Sequence, residues 1–253
     1  MNTDFEGKNV LVTGGSRGIG AAVATQLAQR GARVCITFHA DKEAARRVVA
    51  ALPGNGHFAA RADLSKPAAV EKLMGKVLEE FGRLHVVVNN AGIFKKHPIA
   101  SLNYEEWQLI WNDTIGLNLL GAANVCYFAA RHMMEHGGGR IVNISSRGAY
   151  RGEPEHTAYG ASKAGLNALT QSLAQELAPW HIVVTGVAPG FVETDMTRAL
   201  LEGHAGDAIR AQSPMNRAAT PEEIAEVVAF LASDACPYIT GAIVDVNGAS
   251  YLR

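Results

Sequence analysis

Lys8-Asn9-Val10-Leu11-Val12-Thr13-Gly14-Gly15-Ser16-Arg17-Gly18-Ile19-Gly20, followed by Ala21-Ala22-Val23-Ala24, is the stretch that decides the fold. An apolar run ends in a glycine-rich turn, and an alanine-rich helical pattern begins with no further loop. A strand delivered into a helix through such a turn brings backbone N–H groups and a helix N-terminus to one point, the usual seat of a pyrophosphate. The glycine spacing narrows the choice. Gly14, Gly18 and Gly20 do not spell G-x-G-x-x-G, and although Gly15 and Gly20 have P-loop spacing, Ala21-Ala22 stand where Lys-Ser/Thr would be required. A P-loop NTPase is excluded, and a glycine turn of purely steric purpose is the plain alternative.

Outward from this turn, strand-like runs alternate with helical patterns. Residues 8–13, 33–38, 84–89, 140–144 and 182–187 are short, β-rich and continuously apolar, as strands buried on both faces are. A weaker run at 57–61 and a last one at 243–246 bring the strands to seven. Residues 20–30, 41–52, 68–81 and 104–136 read as crossover helices, as does the segment after Tyr159, where Leu166, Leu169, Leu173 and Leu177 recur before Pro179. The expectation is α/β: a single-domain, doubly wound fold over 1–253, with a mainly parallel seven-stranded sheet and helices on both faces. No repeat or linker marks a second domain, and residues 194–220 read as a short helical flap over the substrate.

Composition bounds the function. The chain has 253 residues, 48% of them hydrophobic, and a formal charge of −1, which argues against nucleic acid or an anionic membrane surface as partner. No apolar run reaches the roughly 18 residues of a spanning helix, and residues 1–8 show no basic-then-apolar leader, so a cytoplasmic location is expected. Cys35, Cys126 and Cys236 are widely spaced without a CxxC pair, and the nine histidines show no HExxH, so no metal is expected.

The chemistry-bearing stretch runs from Ser146 to Lys163. Tyr159 and Lys163 are four residues apart and rise from one helix face. A phenol, with a pKa near 10, exchanges protons poorly at neutral pH unless a cation stabilises its anion, and Lys163 is placed to be that cation. Gly160 to Ala164 nearly spells a G-x-S-x-G elbow, but Ala164 replaces the last glycine and Ser162 lies within a helix, so a hydrolase is a poor reading.

Together these motifs resemble the short-chain dehydrogenase/reductase family over essentially the whole chain. The resemblance rests on the T-G-x(3)-G-x-G turn at Thr13 to Gly20, Asn89-Asn90-Ala91-Gly92, Asn118, Ser146 thirteen residues before Tyr159, the Y-x(3)-K pair and Pro189-Gly190. It implies a Rossmann-type fold and an NAD(P)-dependent oxidoreductase acting on a carbonyl/alcohol pair. By resemblance, Tyr159 exchanges the proton, Ser146 polarises the substrate oxygen, Lys163 lowers the Tyr159 pKa and holds the nicotinamide ribose, and Asn118 kinks its helix to position a relay water. The cofactor-binding set it implies is Gly14, Ser16, Arg17, Gly18, Ile19, Gly20, His39, Asp63, Leu64, Asn90, Ala91, Gly92, Tyr159, Lys163, Pro189, Gly190, Val192 and Thr194. Asn89 to Gly92 serve equally as scaffolding, Asp63 as a helix cap, and Ser145 competes with Ser146, although a strand cannot point both the same way. Val184-Thr185-Gly186-Val187 and Asn247-Gly248-Ala249 depart from the family's usual pattern.

Cofactor choice follows from the end of the second strand. Residues 36–39 read Ile-Thr-Phe-His with no carboxylate for a ribose 2′-OH, while Arg17, His39 and Lys42 offer cations for a 2′-phosphate, so NADP(H) is favoured over NAD(H). Asp41 reaching back to the ribose is the alternative. Residues 194–200, 229–234 and 239–241 resemble 3-oxoacyl-(acyl carrier protein) reductases. The insert at 147–157, with Arg151, Glu153, Glu155 and His156, keeps a small polar ketone or polyol open. A non-catalytic cofactor-binding relative is the alternative from another class. The apolar surface of residues 104–136 and of the Tyr159 helix, with the family's habit, leads to an expected homotetramer.

Overall fold

A computed structural model of the protein describes residues 4–253. Met1 to Thr3, the start of the segment read above for a leader, lie outside the described residues. The elements run β1 (Asn9–Val12), α1 (Gly18–Gln29), β2 (Arg33–Phe38), α2 (Lys42–Ala51), β3 (Phe58–Arg61), α3 (Pro67–Phe81) and β4 (Val86–Asn89). Then come α4 (Tyr104–Ile115), α5 (Ala122–Glu135), β5 (Gly139–Ile144), the short α6 (Gly148–Arg151), α7 (Thr157–Leu177), β6 (Ile182–Pro189), α8 (Gly203–Arg210), α9 (Pro221–Ala232) and β7 (Ile243–Val246).

The seven strands form one sheet in the order β3-β2-β1-β4-β5-β6-β7, every pairing parallel. The order reverses between β1 and β4, and a crevice opens there at the carboxyl ends of the strands. Two cores flank the sheet because its strands alternate side chains between faces. Val10, Val12, Val34, Ile36, Val142 and Ile144 pack with α1 and α9, while Leu11, Cys35, Val87, Ile141 and Val184 pack with α3, α5 and α7. Cys35 and Cys126 are free, buried thiols within the second core, and burial pushes the Cys126 thiol up to about 12.

The expected helix over 104–136 is not one α-helix. Between α4 and α5 lies a π-helical turn, Gly116–Gly121, containing Asn118. Its wider i→i+5 bonds accommodate the close approach of Gly121 to α3's approach loop, where a Cβ would stand 2.7 Å from the Leu64 carbonyl oxygen. The segment 194–220 holds a short turn at Arg198–Leu200 and then α8, and Val192 pairs with Ala219 at its base.

Candidate active site

The glycine turn is shaped by close approaches. Gly14 and Gly18 have φ of +64° and +53°, the left-handed region where a side chain is strained. A Cβ on Gly20 would lie 2.4 Å from Gly14 O and 2.5 Å from Asn90 Nδ2. Asn90 Nδ2 donates to Thr13 O (2.9 Å) and Gly14 O (3.0 Å), while Thr13 Oγ1 accepts from the N–H groups of Asn90 (2.9 Å) and Ala91 (3.0 Å). Thr37 Oγ1 accepts from Gly14 N at 3.0 Å. Gly20 and Asn90, expected among the cofactor contacts, also hold the turn in shape, Asn90 through its Nδ2 and Gly20 through its lack of a side chain.

What the turn leaves open is the start of α1. Its N-cap, Arg17, makes no side-chain cap and the first turn holds no acidic residue, so unpaired N–H groups face the crevice between Gly14 and Gly18. Thr194 closes one side: a Cβ on Gly18 would meet Thr194 Cγ2 at 3.2 Å. This cradle of unpaired donors fits the pyrophosphate of a dinucleotide, with Ser16, Arg17, Gly18 and Ile19 around it and Thr194 against it. Asp63 is no helix cap. It accepts from Ser65 N (3.0 Å) and Ser65 Oγ (2.7 Å), and these bonds hold its carboxyl below the usual range, while Leu64 beside it is buried. Pro189 and Gly190 end β6 under β7, with Gly190 N donating to Val246 O at 3.0 Å.

The catalytic candidates converge from three elements. Ser145 and Ser146 follow β5 and point apart. Ser145 Oγ turns to Lys163 O (3.3 Å), whereas Ser146 Oγ accepts from Gly148 N (3.0 Å) and its hydroxyl favours the ionised form of the nearby Tyr159 phenol. The Lys163 ammonium lies 5.7 Å from the Tyr159 ring centroid and donates to Ile144 O at 2.7 Å, so α7 is clamped to the strand that carries the serine. Asn118 spends both ends of its amide on the loop after Gly92, accepting from Ile93 N (2.8 Å) and donating to Ile93 O (3.0 Å). A Cβ on Gly92 would meet Asn118 Oδ1 at 3.2 Å and Lys163 Nζ at 3.7 Å, which places all three together.

The electrostatics of the pair are set by burial. The Tyr159 phenol stays above its ordinary value with Lys163 beside it. Burial is what raises it, the Ser146 hydroxyl opposes the rise and the nearby Glu153 carboxylate adds to it. Burial likewise brings the Lys163 amine down to about 8. Removing a charge from water outweighs a cation whose own ionised form is disfavoured there.

Several residues of the site carry no sequence signal. Phe94 meets Tyr159 edge-on with centroids 4.8 Å apart and stacks on His156 at 3.9 Å, which walls the substrate side. His97 is 1% exposed and supports the start of α7. At the other end of the crevice, Arg61 faces β2 in the register Phe38↔Arg61 and donates from Nε to His39 O at 3.0 Å. Asp41 accepts from Ala44 N at 2.8 Å and caps α2, so it is engaged away from a ribose. Exposed Arg17 and His39, with Arg61, form no ion pair among the described residues.

Known proteins share this arrangement. A family model described as Enoyl-(Acyl carrier protein) reductase matches residues 14–249. The chain is 42% identical over 249 residues to 3-oxoacyl-[acyl-carrier-protein] reductase FabG of Escherichia coli (strain K12), covering 98% of this chain and 99% of that protein. It is 40% identical over 247 residues to the protein of the same name from Staphylococcus aureus (strain Mu50 / ATCC 700699), covering 97% and 98%. Among solved structures, a short chain dehydrogenase from Burkholderia cenocepacia J2315 in complex with NADP superposes with a TM-score of 0.90 at 37% identity, covering 98% of this chain and 99% of that one. A dehydrogenase/reductase from Sinorhizobium meliloti 1021 gives 0.91 at 34%, covering 99% and 98%. With the parallel sheet, the open helix start and the serine, tyrosine and lysine gathered at one crevice, these likenesses establish that the chain belongs to the short-chain dehydrogenase/reductase family and is an NAD(P)-dependent oxidoreductase of carbonyl and alcohol groups.

Proposed function

We propose that the protein is an NADP(H)-dependent reductase in which Tyr159 supplies the proton to the substrate carbonyl and Ser146 fixes that oxygen. The observation that carries this is the placement of Ser146 beside the buried Tyr159 phenol, with Lys163, on the same helix as Tyr159, clamped to Ile144 O. The bound nicotinamide supplies hydride. Ser146 Oγ and the Tyr159 hydroxyl present two groups to one oxygen, which orients the carbonyl and stabilises the charge that develops on it. Lys163, facing Gly92, is placed to hold the nicotinamide ribose, and Asn118 keeps the loop after Gly92 against it. Asp63, Leu64, Ala91, Pro189, Gly190 and Val192 line the crevice at strand ends, where the adenine and nicotinamide sides of a dinucleotide are received.

Arg17, His39 and Arg61 support a 2′-phosphate, since Asp41 is already the cap of α2. The likeness to 3-oxoacyl-[acyl-carrier-protein] reductases supports a 3-oxoacyl thioester as substrate. Residues 194–220 act as the flap of this one domain. Exposed Tyr104, Leu109, Leu120 and Tyr127 along α4, the π turn and α5 support pairing of these helices in a homotetramer. NADPH oxidation driven by a 3-oxoacyl thioester tests the activity, and light scattering tests the assembly. No turnover of the thioester, or a monomer mass at micromolar protein, would reject the respective reading.

A further inference from the structure

Two guanidinium groups converge on a neutral acceptor in the segment that follows Ser146. Gln212 Oε1, from the flap, accepts from Arg147 Nη2 at 2.6 Å and from Arg151 Nη1 at 3.0 Å. Among the described residues neither arginine has a carboxylate within ion-pair distance, although nearby Arg210 and Arg217 are paired with Asp207 and Glu223. Arg147 is only 3% exposed. Its guanidinium lies 4.8 Å from the Phe191 ring centroid and forms part of the wall of a cavity bounded by Phe191, Ser213, Met215 and Asn247. A buried cation without a counter-charge is costly to keep, and burial indeed holds the Arg147 guanidinium below its ordinary range, with the Glu153 carboxylate acting only at longer reach.

Arg147 follows Ser146 directly, and its own N–H donates to Pro189 O at 2.9 Å, so the backbone that carries both residues is tied to the end of β6, while Gln212 and Phe191 hold the guanidinium. The two arginines present donors where an amide oxygen now sits, and a carboxylate would satisfy them better, since it adds a counter-charge and a second oxygen that a guanidinium fork can grip.

We propose that Arg147 and Arg151 form a subsite for an anionic group of the substrate, which makes the preferred carbonyl compound one that carries a carboxylate within a few bonds of the reacting carbon. The subsite rests on the carbonyl-reductase reading above and deepens it: the anion displaces Gln212 Oε1 and thereby engages the flap.

The test compares a 3-oxo acid with its methyl ester, NADPH being the reductant, in the parent enzyme and in Arg147→Met and Arg151→Met. The parent should prefer the acid by at least tenfold in kcat/KM, and each variant should cut that ratio tenfold or more, chiefly by raising KM for the acid. Arg151 is exposed, so its variant keeps the test decisive if the buried Arg147→Met fails to fold. Arg147→Lys, which keeps the charge but loses the fork, should fall between. A parent preference for the ester, or a ratio that survives in both folded variants, overturns the subsite while the reductase reading stands. No turnover of either compound overturns the reductase reading and the subsite with it.

Discussion

His97 caps the catalytic helix from a distant loop: its Nε2 accepts the Ala158 N–H at 3.0 Å, one residue before Tyr159. Ala158 N only donates, so Nε2 is the unprotonated nitrogen and Nδ1 carries the hydrogen given to Lys95 O at 2.8 Å. His97 N also donates to Glu155 O at 2.7 Å, which joins the loop after β4 to the insert before α7. The residue at the formal cap position, His156, makes no such bond with its own side chain.

Replacing His97 by Ala should therefore leave the Ala158 N–H unpaired and cost about 1–2 kcal/mol of stability, the scale of a lost N-cap. Because the loosened turn carries Tyr159, kcat should fall more than cofactor affinity does. Denaturant unfolding, steady-state kinetics and NADPH titration measure the three quantities. An unchanged midpoint of unfolding would show that the cap is unimportant.

Tyr159→Phe removes the proton carrier while keeping the ring that meets Phe94. Turnover should drop by on the order of 10²-fold or more, with folding and cofactor binding nearly intact. Near-parental turnover in the Phe variant would take Tyr159 out of the mechanism.

Glu153 raises the Tyr159 pKa through its negative charge, so Glu153→Gln should lower it. In alcohol oxidation the ionised phenol accepts the proton, and the rise of kcat/KM with pH tracks its ionisation. That rise should move to lower pH in the variant. A pH profile that stays in place, or moves upward, contradicts the assignment.

Arg17 stands exposed at the start of α1 and in no ion pair among the described residues, which frees its fork for a phosphate. Preference for NADPH over NADH should exceed roughly tenfold in kcat/KM, equal to about 1.4 kcal/mol, and should collapse in Arg17→Ala. Arg61→Ala should reduce it as well. Equal use of both cofactors, or a preference for NADH, decides against the 2′-phosphate site.

Much of this arrangement was legible in the chain itself. Strands such as Arg33–Phe38 and Ile182–Pro189 lie within two residues of the expected runs, because continuous β-rich segments buried on both faces have few alternatives. Tyr159 and Lys163 could be paired from one helix spacing, whereas only the thirteen-residue offset from Tyr159 in the family resemblance selects Ser146 over Ser145. The π turn could not: nothing in the pattern of Gly116–Gly121 separates i→i+5 from i→i+4 bonding. His97 was invisible because its partner lies 61 residues away, and Arg61 because only the register Phe38↔Arg61 brings it to His39. The direction of the Tyr159 shift depends on burial, which spacing does not report.

The wide turn at Gly116–Gly121 also governs how this chain tolerates changes in length. An i→i+5 turn holds one residue more than an α-turn, so α4 and α5 already keep their phases around a surplus residue. Deleting one residue there, Leu119 for instance, would let the ladder close as ordinary α-helix without rotating Val125, Cys126, Ala129 and Met133 away from the sheet. The same deletion inside α5 would turn every later side chain by about 100° and strip that face from the core. The long helix thus has a splice point at which a residue can be lost while the helix faces survive, and Asn118, hosted there, binds the turn to Ile93.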